Sequence, residues 1–123
     1  MDSATLLKNN LTIAYQALAA MKLDNLTYTH LSARLPGSDS FYIYPFGLLY
    51  SEVTPSSLLH VSFSGQVLEG NEQQYNPTGY AIHSAIYQSR PDINAVFHLH
   101  TTAGVAVSAM ECGLLPISQF ALH

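Results

Sequence analysis

Tryptophan is absent, cysteine occurs once, and only four of the 123 residues are Lys or Arg. With Cys112 alone there is no disulfide framework and no paired-cysteine metal motif, which fits a reducing cytoplasm. Four basic residues against eight acidic ones, a formal charge of −4, leave no patch for a phosphate backbone or an anionic membrane surface, so nucleic acid is excluded as a partner. Charged residues make up 10% of the chain, against roughly 25% in an ordinary soluble domain. A chain so poor in charge is expected to hide surface, either against copies of itself or as part of a larger fold. No run of about 18 apolar residues exists, because Asn94, His98, His100, Thr101 and Thr102 break the best stretch, and no membrane insertion is expected. The start, MDSATLLKNN, lacks the basic-then-apolar order of a signal peptide.

What is present reads as one α/β domain over residues 1–123. Ser3 is a candidate N-cap, and Leu7, Leu11, Ala14, Leu18 and Met21 recur at four- and three-residue spacing, a helical stripe ending near Lys22–Asp24. Residues 26–36, LTYTHLSARLP, alternate hydrogen-bonding groups with apolar ones and suit either a polar loop at a pocket edge or a solvated hairpin. Phe41–Tyr44 is a strand by propensity; residues 58–63 and 67–68 form a hairpin about Ser64-Gly65-Gln66. Asn76 followed by Pro77 marks a helix start, with Ile82, Ala85, Ile86 and Ser89 as its inward face and Arg90-Pro91 as its end. A strand over 92–100, a helix over 102–110 closed by Gly113, and a strand over 114–117 complete the order.

The chemistry centres on His98 and His100. Side chains two apart on a strand point to one side of the sheet, so the imidazoles project together as half of a metal site. No third ligand is nameable: His83 suits packing with a local hydrogen bond, His60 is an ordinary strand residue, and His123 is the last residue. Nucleophile-elbow, dinucleotide-binding and P-loop motifs are absent. Glu52, Glu69 and Glu72 read as solvated carboxylates.

The stretch TGYAIHSAIYQSRPDINAVFHLHTTAGVAVSAMECGLLPIS, with THLSARLP and YPFGLLYSEVTPSSL before it, resembles the class II aldolase/adducin family, in its adducin-like branch. The resemblance implies a three-layer α/β/α domain, C-terminally incomplete here, often assembled as a homo-oligomeric tetramer. It implies a divalent metal, usually zinc, held by three histidines, and cleavage or epimerisation of sugar phosphates through an enediolate. His98 and His100 fall on two of the ligands, while the third, in an Asn-His-Gly segment, lies beyond this chain. The family's Ser-Ser-Glu segment, whose Glu is the acid/base, is matched by Pro77, Thr78 and Gly79. The phosphate-contacting Asn is matched by His30, while Ser32 and Gly47 match positions near the phosphate, so the substrate-binding set is His30, Ser32, Gly47 and Thr78. Tyr28, His30 and Tyr80 are candidates for the missing proton carrier, and the sequence selects none of them. Three readings follow: a metal-binding protein acting on a carbonyl or sugar-phosphate-like small molecule, a catalytically silent scaffold with actin- or spectrin-type partners, or a truncated product with neither activity intact.

Overall fold

The computed structural model describes residues 2–70 and 74–122. Helix α1 spans Ser3–Ala20 and is capped one residue earlier than expected, by Asp2, whose carboxylate accepts the Thr5 N–H at 2.8 Å. Strands β1 (His30–Ala33), β2 (Ser40–Ile43), β3 (Leu59–Ser62) and β4 (Val67–Glu69) run antiparallel in sequence, as hairpins do. Helix α2 (Pro77–Ser89) then carries the chain to β5 (Ala95–His98), which pairs antiparallel with the free side of β1. The sheet order is therefore β4-β3-β2-β1-β5, and a short helix α3 (Thr102–Ser108) follows.

Alternation along the strands assigns the layers. Leu31 and Tyr44 face α1, where the Tyr15 hydroxyl donates to the Leu31 carbonyl and accepts from the N–H groups of Leu31 (3.0 Å) and Tyr44 (3.4 Å). A 3-10 turn, Tyr50–Glu52, closes this side, and the Tyr15, Tyr44 and Tyr50 rings meet at 4.7–5.5 Å. His30, Ser32 and Phe41 face the other way, onto α2. One helix on each face gives the three-layer α/β/α arrangement.

Several expectations are corrected. Residues 30–33 are neither loop nor solvated hairpin but a fully buried strand at the heart of the sheet. The inward face of α2 is Gly79, His83, Ser84 and Tyr87; Ile82, Ala85 and Ser89 are exposed and Ile86 is half-buried. The helix lies over polar groups of β1, so the face able to hydrogen-bond turns inward and the isoleucines turn out. β5 is shorter than 92–100, α3 ends at Ser108, and residues 114–117 are bends and irregular backbone, with no strand among the described residues paired beside them. Gly113 (φ +62) closes a turn after α3 rather than capping it directly. Met21 lies outside the buried stripe of α1, to which Thr12 and Tyr15 belong instead.

Arg34, just past β1, is buried without a carboxylate partner among the described residues. Its guanidinium donates to the carbonyls of Ile93 (3.0 Å), Ser38 (3.2 Å), Arg90 (3.3 Å) and Pro91 (3.1 Å), and lies 4.8 Å over the Tyr87 ring. Five fixed N–H donors suit such a cage of carbonyls, and the aromatic face adds a favourable quadrupole.

Candidate functional site

Asn76 starts α2: its side chain accepts the N–H groups of Thr78 (2.9 Å) and Gly79 (3.4 Å), with Pro77 at the first helical position. Gly79, His83 and Tyr87 then recur every four residues and form one stripe over β1. Beneath it a polar chain runs through the interior. His30 Nδ1 meets His83 Nε2 at 2.7 Å, His83 Nδ1 bonds Ser32 Oγ, and Ser32 Oγ meets the Tyr87 hydroxyl at 2.7 Å. On the open side, the His30 ring stacks on His98 with centroids 4.6 Å apart and planes 11° from parallel. The register of β1 with β5, which sets His30 opposite His98, creates that stack. His98 Nε2 lies 3.0 Å from His100 Nε2.

Burial favours the neutral form of His30, His83 and His98. It pushes His30 down to about 4, with His98 and His100 adding to the effect. It pushes His83 to about 3, with His30 and then His98 contributing. Burial and then His100 also lower His98. Neutral imidazoles are the form in which a metal is bound.

The donor set passes a simple test of fit. Two nitrogens on one tetrahedral zinc, each at 2.0–2.1 Å, stand about 3.3 Å apart. The two Nε2 atoms at 3.0 Å are within a few tenths of that span. Among the described residues no third His, Cys, Asp or Glu joins them in a metal-holding group.

The residue at 79 has a direct steric role. A Cβ built there would lie 2.9 Å from His30 Cδ2 and 3.1 Å from both Cγ and Nε2. The imidazole thus occupies the space that a side chain at 79 would take. None of the hydrogen bonds among the described residues uses His30 Nε2, the ring nitrogen on this side.

The sequence candidates divide accordingly. His30, Ser32, His98 and His100 are brought together. Tyr28 is exposed on the loop before β1. The Tyr80 hydroxyl donates to the carbonyls of Ser62 (3.2 Å) and Phe63 (2.7 Å), away from the histidines. Gly47, at φ +102, follows β2, and its neighbour Phe46 is tied to Gln74 by a 2.8 Å backbone bond. Thr78 is exposed in the first turn of α2. His60 stacks on Tyr42 and bonds Ser40 Oγ at 2.7 Å on the opposite face, and His123 lies outside the described residues. Glu52 accepts the Leu49 N–H at 2.8 Å, Glu69 pairs with Lys8 at 2.6 Å, and Glu72 is outside the described residues. His83 is packed and hydrogen-bonded as the sequence suggested, but its partners are His30 and Ser32 on a distant strand rather than local groups, and sequence reasoning missed Tyr87. The four-residue spacing of His83 and Tyr87 from Gly79 was the available signal.

The comparisons agree with this architecture. Residues 9–123 match the family model described as the Class II Aldolase and Adducin N-terminal domain. The chain is 46% identical over 113 residues to a Pseudomonas aeruginosa protein provisionally named as a class 2 aldolase, covering 92% of this chain and 44% of that protein. It is 45% identical over 120 residues to alpha-adducin of Rattus norvegicus, covering 95% of this chain and 16% of that one. Among solved structures, an aldolase II superfamily protein from Pseudomonas syringae superposes with a TM-score of 0.88 at 42% identity, over 99% of this chain and 50% of the other. An L-fuculose 1-phosphate aldolase from Glaciozyma antarctica gives 0.83 at 32% identity, over 95% and 49%. The chain spans less than half the length of these curated relatives. With a matching family model over most of its length and a matching fold, the chain belongs to the class II aldolase and adducin family.

Proposed function

We propose that residues 1–123 form a domain in which His98 and His100 hold a divalent metal, zinc by donor type, in a cytoplasmic protein acting on a small carbonyl compound of the sugar-phosphate kind. The observation that carries this reading is the convergence of the two Nε2 atoms at 3.0 Å beside His30. Such a metal supplies Lewis-acid polarisation of a carbonyl oxygen. The similarity to a protein titled L-fuculose 1-phosphate aldolase supports the substrate class. In this reading His30, Ser32, Gly47 and Thr78 receive the substrate. Because Gly79 offers no carboxylate, the proton is moved by His30 Nε2, which sits in the space beside residue 79 and is backed by His83. Tyr28 and Tyr80 are less suited, one being exposed and the other turned to the β3–β4 hairpin.

The experiment is solvent deuterium exchange into a hydroxyketone phosphate by the zinc-supplied protein. His98→Ala with His100→Ala should abolish zinc uptake and exchange together, and His30→Ala should slow exchange by about 10²–10⁴-fold. Exchange that survives loss of both metal histidines overturns the reading. Zinc uptake without any exchange favours the second reading, a scaffold that self-associates and takes actin- or spectrin-type partners. That reading is supported by the 45% identity to an alpha-adducin.

A further inference from the structure

Besides His30, which stacks on His98, the loop before β1 brings Asn25 to the proposed ligand set. After α1 the chain passes through two left-handed residues, Lys22 (φ 57) and Leu26 (φ 49), before reaching β1. Side-chain-bearing residues adopt this conformation at a cost, and hydrogen bonds hold it here. Lys22 N–H donates to Ala19 O at 3.0 Å, Tyr28 N–H to Asn25 O at 3.0 Å, and Asn25 N–H to the hydroxyl of buried Thr29 at 3.4 Å. The turn so formed delivers the Asn25 carboxamide to His100, with Asn25 Nδ2 3.4 Å from His100 Nδ1. The other ring nitrogen of His100 is the one that faces His98.

A neutral imidazole has a single ring proton, so whatever Asn25 offers to one nitrogen decides the state of the other. With the amide N–H toward Nδ1, that nitrogen accepts, and the proton sits on Nε2, shared with His98. With the carboxamide turned over, Oδ1 accepts from Nδ1–H, and the Nε2 lone pair is freed. The two orientations fill the same space. Only the second is compatible with both Nε2 atoms binding one metal.

Resting on the metal reading of His98 and His100 above, we propose that Asn25 is the positioning residue of His100: a carboxamide that holds the ring by Nδ1 and turns over when the ring proton moves from Nε2 to Nδ1, leaving both Nε2 lone pairs to a divalent metal. Partners of this kind are worth about 10–100-fold in metal affinity. Asn25 is exposed, so the expected effect is at the lower end, about tenfold.

The test uses the full chain and two readouts that need no catalysis: zinc affinity by competition with a chromophoric chelator, and the ring-nitrogen ¹⁵N shifts of His100 without metal. Asn25→Leu removes donor and acceptor alike, and should weaken zinc about tenfold and change the His100 tautomer balance. Asn25→Asp can only accept, so it should fix the proton on Nδ1 and bind zinc at least as tightly as the wild type. The tautomer readout separates this orientation from the attraction of the added charge. An Asn25→Leu protein with wild-type affinity overturns the inference, and so does one with weaker affinity but an unchanged tautomer. A wild-type chain whose His98 and His100 ring-nitrogen shifts do not move under saturating zinc overturns the metal reading as well, and is distinguishable on that ground.

Discussion

The two faces of the sheet bury polar groups in different ways. Under α1, the hydroxyls of Tyr15 and Tyr44 donate to the backbone carbonyls of Leu31 and Thr29, the second at 2.9 Å. Under α2, His30, His83, Ser32 and Tyr87 bond to one another, and the chain of contacts ends at an imidazole nitrogen that no hydrogen bond among the described residues uses. A side chain tied to backbone holds strands in place. A side chain tied to other side chains has its orientation set by them and keeps an end available for chemistry. The α1 face is therefore a stability face, and the α2 face is the one that carries the proposed site.

The sharpest way to break this contrast is Tyr15→Ala. It removes a fully buried ring and three hydrogen bonds, and should cost about 3–5 kcal/mol, read as the urea midpoint. Next is Gly79→Glu on the other face. Its Cβ meets the His30 ring, and overpacking of this kind costs about 1–3 kcal/mol. Combining it with His30→Ala should recover part of that loss, so the two changes should be non-additive in a double-mutant cycle. Additive effects would show that the imidazole and residue 79 do not compete for space.

The smallest effect is that of pH. Burial holds His83 at about 3 and His30 at about 4, below the ordinary 6.5, so the unfolded chain binds protons first as pH falls. Stability should be full above pH 6.5 and decline below it, toward the folded-state values. The loss at pH 5.5 should be about 1 kcal/mol for each imidazole. Denaturation at pH 7.5 and 5.5 measures it, and His83→Gln should flatten the slope where Tyr15→Phe leaves it unchanged.

The same contrast explains what the sequence showed. The helix start at Asn76-Pro77, the hairpin about Gly65 and most of the stripe of α1 were legible because each is decided by local backbone rules. The side-by-side placement of His98 and His100 was legible from their spacing. β1 was not. In THLSARLP, polar groups that bond to one another in the interior look the same as polar groups that bond to water, since the partner lies some fifty residues away. The inward face of α2 was misassigned for the same reason. Ile82 and Ile86 are the apolar choice, and only the presence of His30 and Ser32 on the opposing strand makes His83 the right one.

The Arg34 clasp has a mechanical meaning. It braces the turn after β1 through Ser38 O and fastens it to the connection between α2 and β5 through the carbonyl oxygens of Arg90, Pro91 and Ile93, so the helix carrying His83 and the strand carrying His98 share one rivet at a common end. Dissolved ions screen buried contacts far less than surface charge pairs. Molar salt should therefore loosen the exposed Arg90–Asp92 pair beside it while leaving the rivet closed, and the spacing between the two histidine-bearing elements should be insensitive to ionic strength.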